Sequence, residues 1–158
     1  VFSYRVADPH AYGVVEFDKN GNVTEIVEKP DNPKSNFAVT GLYFFDHTAP
    51  ERASKLKPSA RGELEITDLN NSYLRQNKLK VRILNRGVAW FDTGTPENLL
   101  EASSYVHALQ SRQGLFVSSP EEIAFRKSFI TAEELIPSIK QNGSNYYNLL
   151  QSVLESES

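Results

Sequence analysis

Five short runs dense in β-branched and aromatic residues fill much of the first 91 positions: residues 13–17, 23–27, 37–45, 79–84 and 88–91. Such side chains pack well on a pleated surface, so a chain with this spacing is committed to a sheet. The first two runs are joined by Asp18-Lys19-Asn20-Gly21-Asn22. Asn-Gly supplies the positive φ angles that a tight hairpin turn needs, which predicts a hairpin over residues 13–28. Leu64, Ile66, Leu69, Tyr73 and Leu74 recur at mixed helical spacings and predict one helix within residues 62–76, packed on the sheet.

From Thr95 onward the pattern changes to helices with clear punctuation. Thr95-Pro96 fits an N-cap followed by proline at the first helical position, and Leu99, Ala102, Val106 and Leu109 fall on one face of a helix ending near residues 112–114. Ser119-Pro120-Glu121-Glu122 and Thr131-Ala132-Glu133-Glu134 both place a hydroxyl at the cap and a carboxylate three residues on, the capping-box arrangement. Two more helices are expected there. Pro137 should kink or shorten the second, with Asn142-Gly143 as its stop. A last helix, over about residues 145–156, carries Tyr146, Leu149, Leu150, Val153 and Leu154. The expected division is therefore an α/β part over 1–96 and a helical part over 97–158.

Composition removes several classes of function. The formal charge of −3 carries no basic footprint for nucleic acid, and no apolar run has the roughly 18–20 residues of a membrane span. No charged leader with a short apolar stretch is present, and a cytoplasmic location is expected. Zero cysteines exclude disulfides, thiolate metal sites and a cysteine nucleophile, and three scattered histidines leave little for a histidine-built site. Any metal would sit on oxygen ligands. The chain has no methionine and begins Val1-Phe2-Ser3-Tyr4, which reads like the middle of a strand, so a piece of a longer protein is expected.

Common phosphate-loop, dinucleotide, nucleophile-elbow and paired-histidine motifs are absent. What remains is a set of polar groups at the ends of apolar runs. Asp92 follows residues 88–91 and precedes a helix start, the strand-end position where open α/β sheets bind ligands. It either holds a hard cation such as Mg²⁺, which takes one or two carboxylates plus water and phosphate oxygens, or bonds to the Thr93 and Gly94 amides as an ordinary turn aspartate. Glu28-Lys29-Pro30 ends a strand with an acceptor for sugar hydroxyls beside a cation for phosphate, or is a solvated pair at a hairpin end. Tyr12-Gly13 opens the preceding strand, where glycine allows close approach of a ligand or simply makes a turn. Arg61 is either a phosphate contact or a surface charge.

Taken together, Tyr12 to Phe17, Glu28-Lys29-Pro30, residues 38–44, 61–67, 87–95 and 121–126 resemble, in order and spacing, the C-terminal half of glucose-1-phosphate thymidylyltransferases. The resemblance implies the C-terminal part of a Rossmann-like mixed-sheet nucleotidyltransferase fold with a helical tail. It also implies Mg²⁺-dependent transfer of a thymidylyl group from dTTP to glucose 1-phosphate, giving dTDP-glucose and pyrophosphate on the way to dTDP-rhamnose. On this resemblance Asp92 is one of two Mg²⁺ ligands. Gly13, Glu28 and Val39 contact the sugar, Lys29 reaches phosphate, and Tyr12, Tyr43, Arg61 and Trp90 line or support the pocket. Arg86, Glu122 and Arg126 sit where a second nucleotide site, inhibited by the end product, has its charged contacts. Homotetramers are a property of the family.

The glycine-rich triphosphate loop, the base-reading residues and the second acidic metal ligand of that family have no counterpart in these 158 residues. The chain by itself is therefore expected to be inactive. A UTP-using sugar-1-phosphate nucleotidyltransferase and a non-catalytic nucleotide-sugar-binding or assembly domain are the alternatives that the residues leave open.

Overall fold

The structure, a computed structural model, describes residues 1–114, 116–141 and 143–156. They form two compact units, Val1–Trp90 and Phe91–Ser158.

The first unit is built on five strands: β1 (Phe2–Arg5), β2 (Gly13–Phe17), β3 (Val23–Glu28), β4 (Phe37–Val39) and β5 (Arg82–Ile83). Their order across the sheet is β3-β2-β4-β1-β5. The pairs β3–β2, β2–β4 and β4–β1 are antiparallel and β1–β5 is parallel, so the sheet is mixed. Two short helices, α1 (Ala49–Ala53) and α2 (Ile66–Leu74), complete the unit. β2 has a neighbour on each side, and Val14 and Val15, which point to opposite faces, are both wholly buried. Ile26, Ala38, Leu69 and Tyr73 finish this core.

The hairpin forms where the Asn-Gly turn predicts it, by a different geometry. Only Gly21 takes a positive φ (82°), while Asn20 does not. The Asp18 carboxylate organises the turn, accepting from the Asn20 and Asn22 amides at 2.8 Å each, and the register slips between Glu16 and Phe17. The loop therefore widens around a glycine in the left-handed region, accompanied by a bulge.

Three strand expectations contract. Of residues 37–45 only Phe37–Val39 pair as a strand, because Gly41 turns the chain with φ 78°. Of residues 79–84 only Arg82–Ile83 pair, and 88–91 form no strand among the described residues. A run of β-branched and aromatic residues becomes a strand only beside a neighbour that takes up its N–H and C=O groups. The helix expected over 62–76 starts later, at Ile66, since Gly62 is also left-handed (φ 78°). β3 is an edge strand, and the side-chain amide of Asn71 on α2 stands in for a missing neighbour. It accepts from Ile26 N at 3.1 Å and donates to Ile26 O at 2.7 Å. This pair of bonds pins α2 to the sheet. Helix α1 is tied to α2 through Asp46, which accepts from Tyr73 Oη (2.8 Å) and Thr48 Oγ1 (2.5 Å). Those bonds hold the Asp46 carboxyl well down, at about 2.

The second unit contains α3 (Pro96–Gln113), α4 (Pro120–Arg126), α5 (Ala132–Gln141) and α6 (Asn145–Ser156). At both ends of α3 and at Thr131 the punctuation operates as expected. Thr95 Oγ1 accepts from Asn98 N at 3.2 Å, and Gly114 ends α3 in the left-handed region at φ 63°. At Thr131 the capping box closes in both directions: Glu134 N donates to Thr131 Oγ1 (3.3 Å) and Thr131 N donates to Glu134 Oε2 (2.8 Å). Ala102, Val106 and Leu109 are the half-buried face of α3, while Leu99 is exposed. α4, α5 and α6 pack together over Leu135 and Leu150.

Pro137 does not cut α5 short; the helix runs through it to Gln141. Proline at the sixth position removes only the one bond that its N–H would have given to Glu133 O. Asn142, expected as part of the stop, lies outside the described residues.

Candidate functional site

The polar residues of the first unit converge where the hairpin strands end. Gly13, the first residue of β2, pairs with Glu28, the last of β3. The ladder closes there because Lys29 N donates to Tyr12 O at 3.0 Å while Lys29 itself turns into the left-handed region (φ 42°) ahead of Pro30. The Val14–Ala38 pair places Val39 alongside Gly13 on the next strand. Glu28, Gly13 and Val39 therefore sit side by side on one row of the sheet and share one face.

Glu28 is held from two sides. Its Oε2 accepts from Thr67 Oγ1 at 2.5 Å, and its Oε1 lies 3.7 Å from Nη1 of Arg61. A Cβ on Gly13 would stand 3.1 Å from Thr67 Oγ1 and 3.2 Å from Glu28 Oε2, so the carboxylate and hydroxyl occupy space that only glycine leaves open. The Glu28 side chain retains 23% exposure, enough for a ligand to reach it. Arg61, more exposed, also pairs with Glu63 (2.9 Å) and lies 3.7 Å from Glu65, whose Oε1 accepts from Ser59 Oγ at 2.8 Å. Tyr43 is close enough to feel this cluster: burial first, and then the Glu28 charge, push its phenol above its ordinary value. A carboxylate with remaining acceptor capacity, a nearby guanidinium and a half-buried phenol can together accept from hydroxyls and donate to an anionic oxygen.

Trp90 and Tyr12 form a different cluster. Trp90 Nε1 donates to Thr40 O at 3.1 Å, and its ring packs against Tyr12 (centroids 5.3 Å apart) and Tyr4 (6.0 Å). Tyr4 pairs with Ala38 and Gly13 with Glu28, so strand alternation puts Tyr4 on the face opposite Glu28. Arg86 shares a cavity of about 480 Å³ with Tyr4, Arg5 and Leu84, and so borders the aromatic cluster through Tyr4.

Asp92 belongs to the second unit and is exposed three residues before the Thr95 cap. Its carboxylate lies over Gly94, where a Cβ would stand 3.4 Å from Oδ1 and 3.6 Å from Oδ2, and among the described residues neither the Thr93 nor the Gly94 amide donates to it. One such carboxylate is a suitable hard ligand for Mg²⁺, but among the described residues no group of three or more His, Asp or Glu side chains gathers to hold a metal. Also in the second unit, Glu122 and Arg126 pair with each other at 2.8 Å along α4. Glu122 N donates to the Ser119 cap at a long 3.4 Å. Among the described residues no helix is long and apolar enough to cross a membrane.

Thr67 and Asn71 are the residues that reasoning from sequence did not single out as part of this site. Both lie on the face of α2 that meets β3, and their spacing of four residues was the available signal.

The mixed sheet with its helical C-terminal part is the architecture of an α/β nucleotidyltransferase. A solved structure named for a glucose-1-phosphate thymidylyltransferase from Bacillus anthracis, in complex with sucrose, superposes with TM-score 0.59 at 42% identity, covering 66% of this chain and 42% of that one. A UDP-glucose pyrophosphorylase complexed with UDP-glucose superposes with TM-score 0.57 at 26% identity, covering 68% of this chain and 44% of that one. The chain belongs to the nucleotidyl transferase family, whose profile matches residues 1–108. Among curated relatives, the glucose-1-phosphate thymidylyltransferase of Xanthomonas campestris pv. campestris (strain B100) is 52% identical over 154 residues, 95% of this chain and 52% of its own length. That of Neisseria gonorrhoeae is 56% identical over 135 residues, 85% of this chain and 47% of its own length. The chain thus spans about half the length of the curated relatives it matches.

Proposed function

We propose that this chain supplies the sugar-binding and regulatory C-terminal half of a glucose-1-phosphate thymidylyltransferase. The observation that carries the proposal is the partly exposed Glu28 carboxylate, held by Thr67 against a glycine with its second oxygen 3.7 Å from Arg61. Glu28 accepts from sugar hydroxyls, while the backbone at Gly13 and Val39 borders the ring. Lys29 and Arg61 neutralise the sugar phosphate. Tyr43 flanks the carboxylate, and Tyr12 and Trp90 support the β2 entry from the other face. In the reaction, a phosphate oxygen of glucose 1-phosphate attacks the α-phosphorus of dTTP in line. The bond to the β-phosphate oxygen breaks and pyrophosphate leaves, so the protein's work is positioning and charge neutralisation. When bound, Mg²⁺ would be held by Asp92 together with a second carboxylate from elsewhere in the whole enzyme and would spread the phosphate charge.

In the same reading dTDP-glucose feeds dTDP-rhamnose synthesis, and Arg86, Glu122 and Arg126 serve a second site for the end product. The whole enzyme is a cytoplasmic homo-oligomer. Thymidylyl rather than uridylyl transfer is favoured because the likeness to the Bacillus anthracis structure (42% identity) exceeds that to the UDP-glucose pyrophosphorylase (26%). The 158 residues alone are inactive in this reading, since triphosphate handling falls to the half of the relatives that they do not span. Incubated with dTTP, glucose 1-phosphate and Mg²⁺, they should release no pyrophosphate above background, and turnover would overturn that part of the proposal.

A further inference from the structure

The reading of Glu28 as a sugar ligand leaves one feature of its surroundings unexplained. A guanidinium and a carboxylate within reach of each other frequently close into a two-bond fork. Here Glu28 Oε1 stops 3.7 Å from Arg61 Nη1, and Glu65 Oε1 stops at the same distance. In both cases the carboxylate also accepts from a hydroxyl. Thr67 Oγ1 donates to Glu28 Oε2 at 2.5 Å and Ser59 Oγ donates to Glu65 Oε1 at 2.8 Å. Only Glu63, itself exposed, bonds Arg61 closely, at 2.9 Å.

Thr67 is suited to this work. It lies in the first turn of α2, is only 4% exposed, and has a branched Cβ that restricts its rotamer. Asn71, one turn on, locks the helix to β3 through both of its bonds to Ile26, so the hydroxyl and carboxylate are referenced to the same rigid elements. Gly13 closes the third side.

Resting on the proposed function, we infer that Thr67 is a positioning residue: its hydroxyl holds one oxygen of Glu28 so that the carboxylate stays available to the ligand instead of closing a two-bond fork on Arg61, whose one close partner is the exposed Glu63. Without the hydroxyl, the carboxylate turns onto the guanidinium. The sugar handle and the phosphate handle are then lost together, although neither residue has been changed.

The test compares Thr67→Val, which keeps the shape and removes the donor, with Thr67→Ser, which keeps the donor. Two readouts are taken on the chain as it stands: the affinity for glucose 1-phosphate, and the NMR signals of the Arg61 guanidinium without ligand. Thr67→Val should bind about tenfold more weakly. It should also show the resolved guanidinium signals of a locked fork, while Thr67→Ser keeps affinity within about threefold and keeps averaged signals. A folded Thr67→Val with wild-type affinity and averaged signals would overturn the inference. If the wild-type chain takes up no glucose 1-phosphate, the sugar-binding reading fails by itself. The guanidinium signals then decide the role of Thr67: a locked fork in Thr67→Val alone supports it, and unchanged signals overturn it. Should valine prevent folding, Thr67→Ala is read in the same way.

Discussion

Replacing Gly13 with alanine probes the tightest point of the site. Gly13 has an ordinary strand conformation, so the backbone tolerates alanine and the whole effect comes from the new methyl. That methyl would stand 3.1 Å from Thr67 Oγ1 and 3.2 Å from Glu28 Oε2, so the hydroxyl or the carboxylate must retreat by a few tenths of an ångström. Overpacking of this kind costs about 1–3 kcal/mol, against roughly 0.5–1 kcal/mol gained by taking glycine out of a strand. The net destabilisation is therefore about 0–2.5 kcal/mol. The retreat also lengthens the 2.5 Å Thr67–Glu28 bond and shifts the carboxylate from its place, so affinity for glucose 1-phosphate should fall about threefold or more. Trp90, the only tryptophan, lies in the same unit and reports its unfolding in urea by fluorescence. Gly87→Ala is the control, since a Cβ there meets nothing within 4 Å. The reasoning is refuted if Gly13→Ala matches the control in both urea midpoint and sugar affinity.

Three further outcomes follow from the same geometry. Lys29 is a non-glycine residue in the left-handed region, so Lys29→Gly should raise the unfolding free energy in urea by about 1 kcal/mol relative to Lys29→Ala while both lose affinity for glucose 1-phosphate; equal stabilities would show that the conformation carries no strain. Asn71→Leu removes both bonds to Ile26 and should cost about 1–3 kcal/mol in urea unfolding, with unchanged stability counting against the pinning of α2 to β3. Asp46 keeps its proton off down to about 2 in the folded chain, whereas the ordinary value is 3.8. Its stabilising bonds are thus fully present above about pH 4 and lost as the pH falls toward 2. Thermal unfolding of the wild type should drop more steeply over that window than that of Asp46→Asn, and parallel curves would sink the assignment.

The elements that reveal themselves in the sequence are those whose cause is local. Asp18 and Gly21 carry the hairpin turn, and Thr95, Gly114 and the Thr131–Glu134 box carry helix ends, because each acts within a few residues of itself. Residues 79–84 and 88–91 have the composition of strands, but a strand also needs a neighbour, and neighbours are set by topology. The site divides in the same way. Gly13 and Glu28 could be read as the two ends of one hairpin. Thr67 could not be joined to them, since its bond spans 39 positions and depends on where α2 lands. Nor does the spacing of Trp90 and Tyr12 tell which face of the sheet they take, which the pairing of Tyr4 with Ala38 decides.

The claim at the centre of this account is that the row formed by Glu28, Gly13 and Val39 receives a hexose 1-phosphate. NMR titration of the nitrogen-labelled chain with glucose 1-phosphate addresses it directly. The account predicts saturable shifts at the Gly13, Lys29 and Val39 amides that vanish in Glu28→Gln. Shifts confined to other residues, or shifts at these amides that persist unchanged in Glu28→Gln, would contradict it.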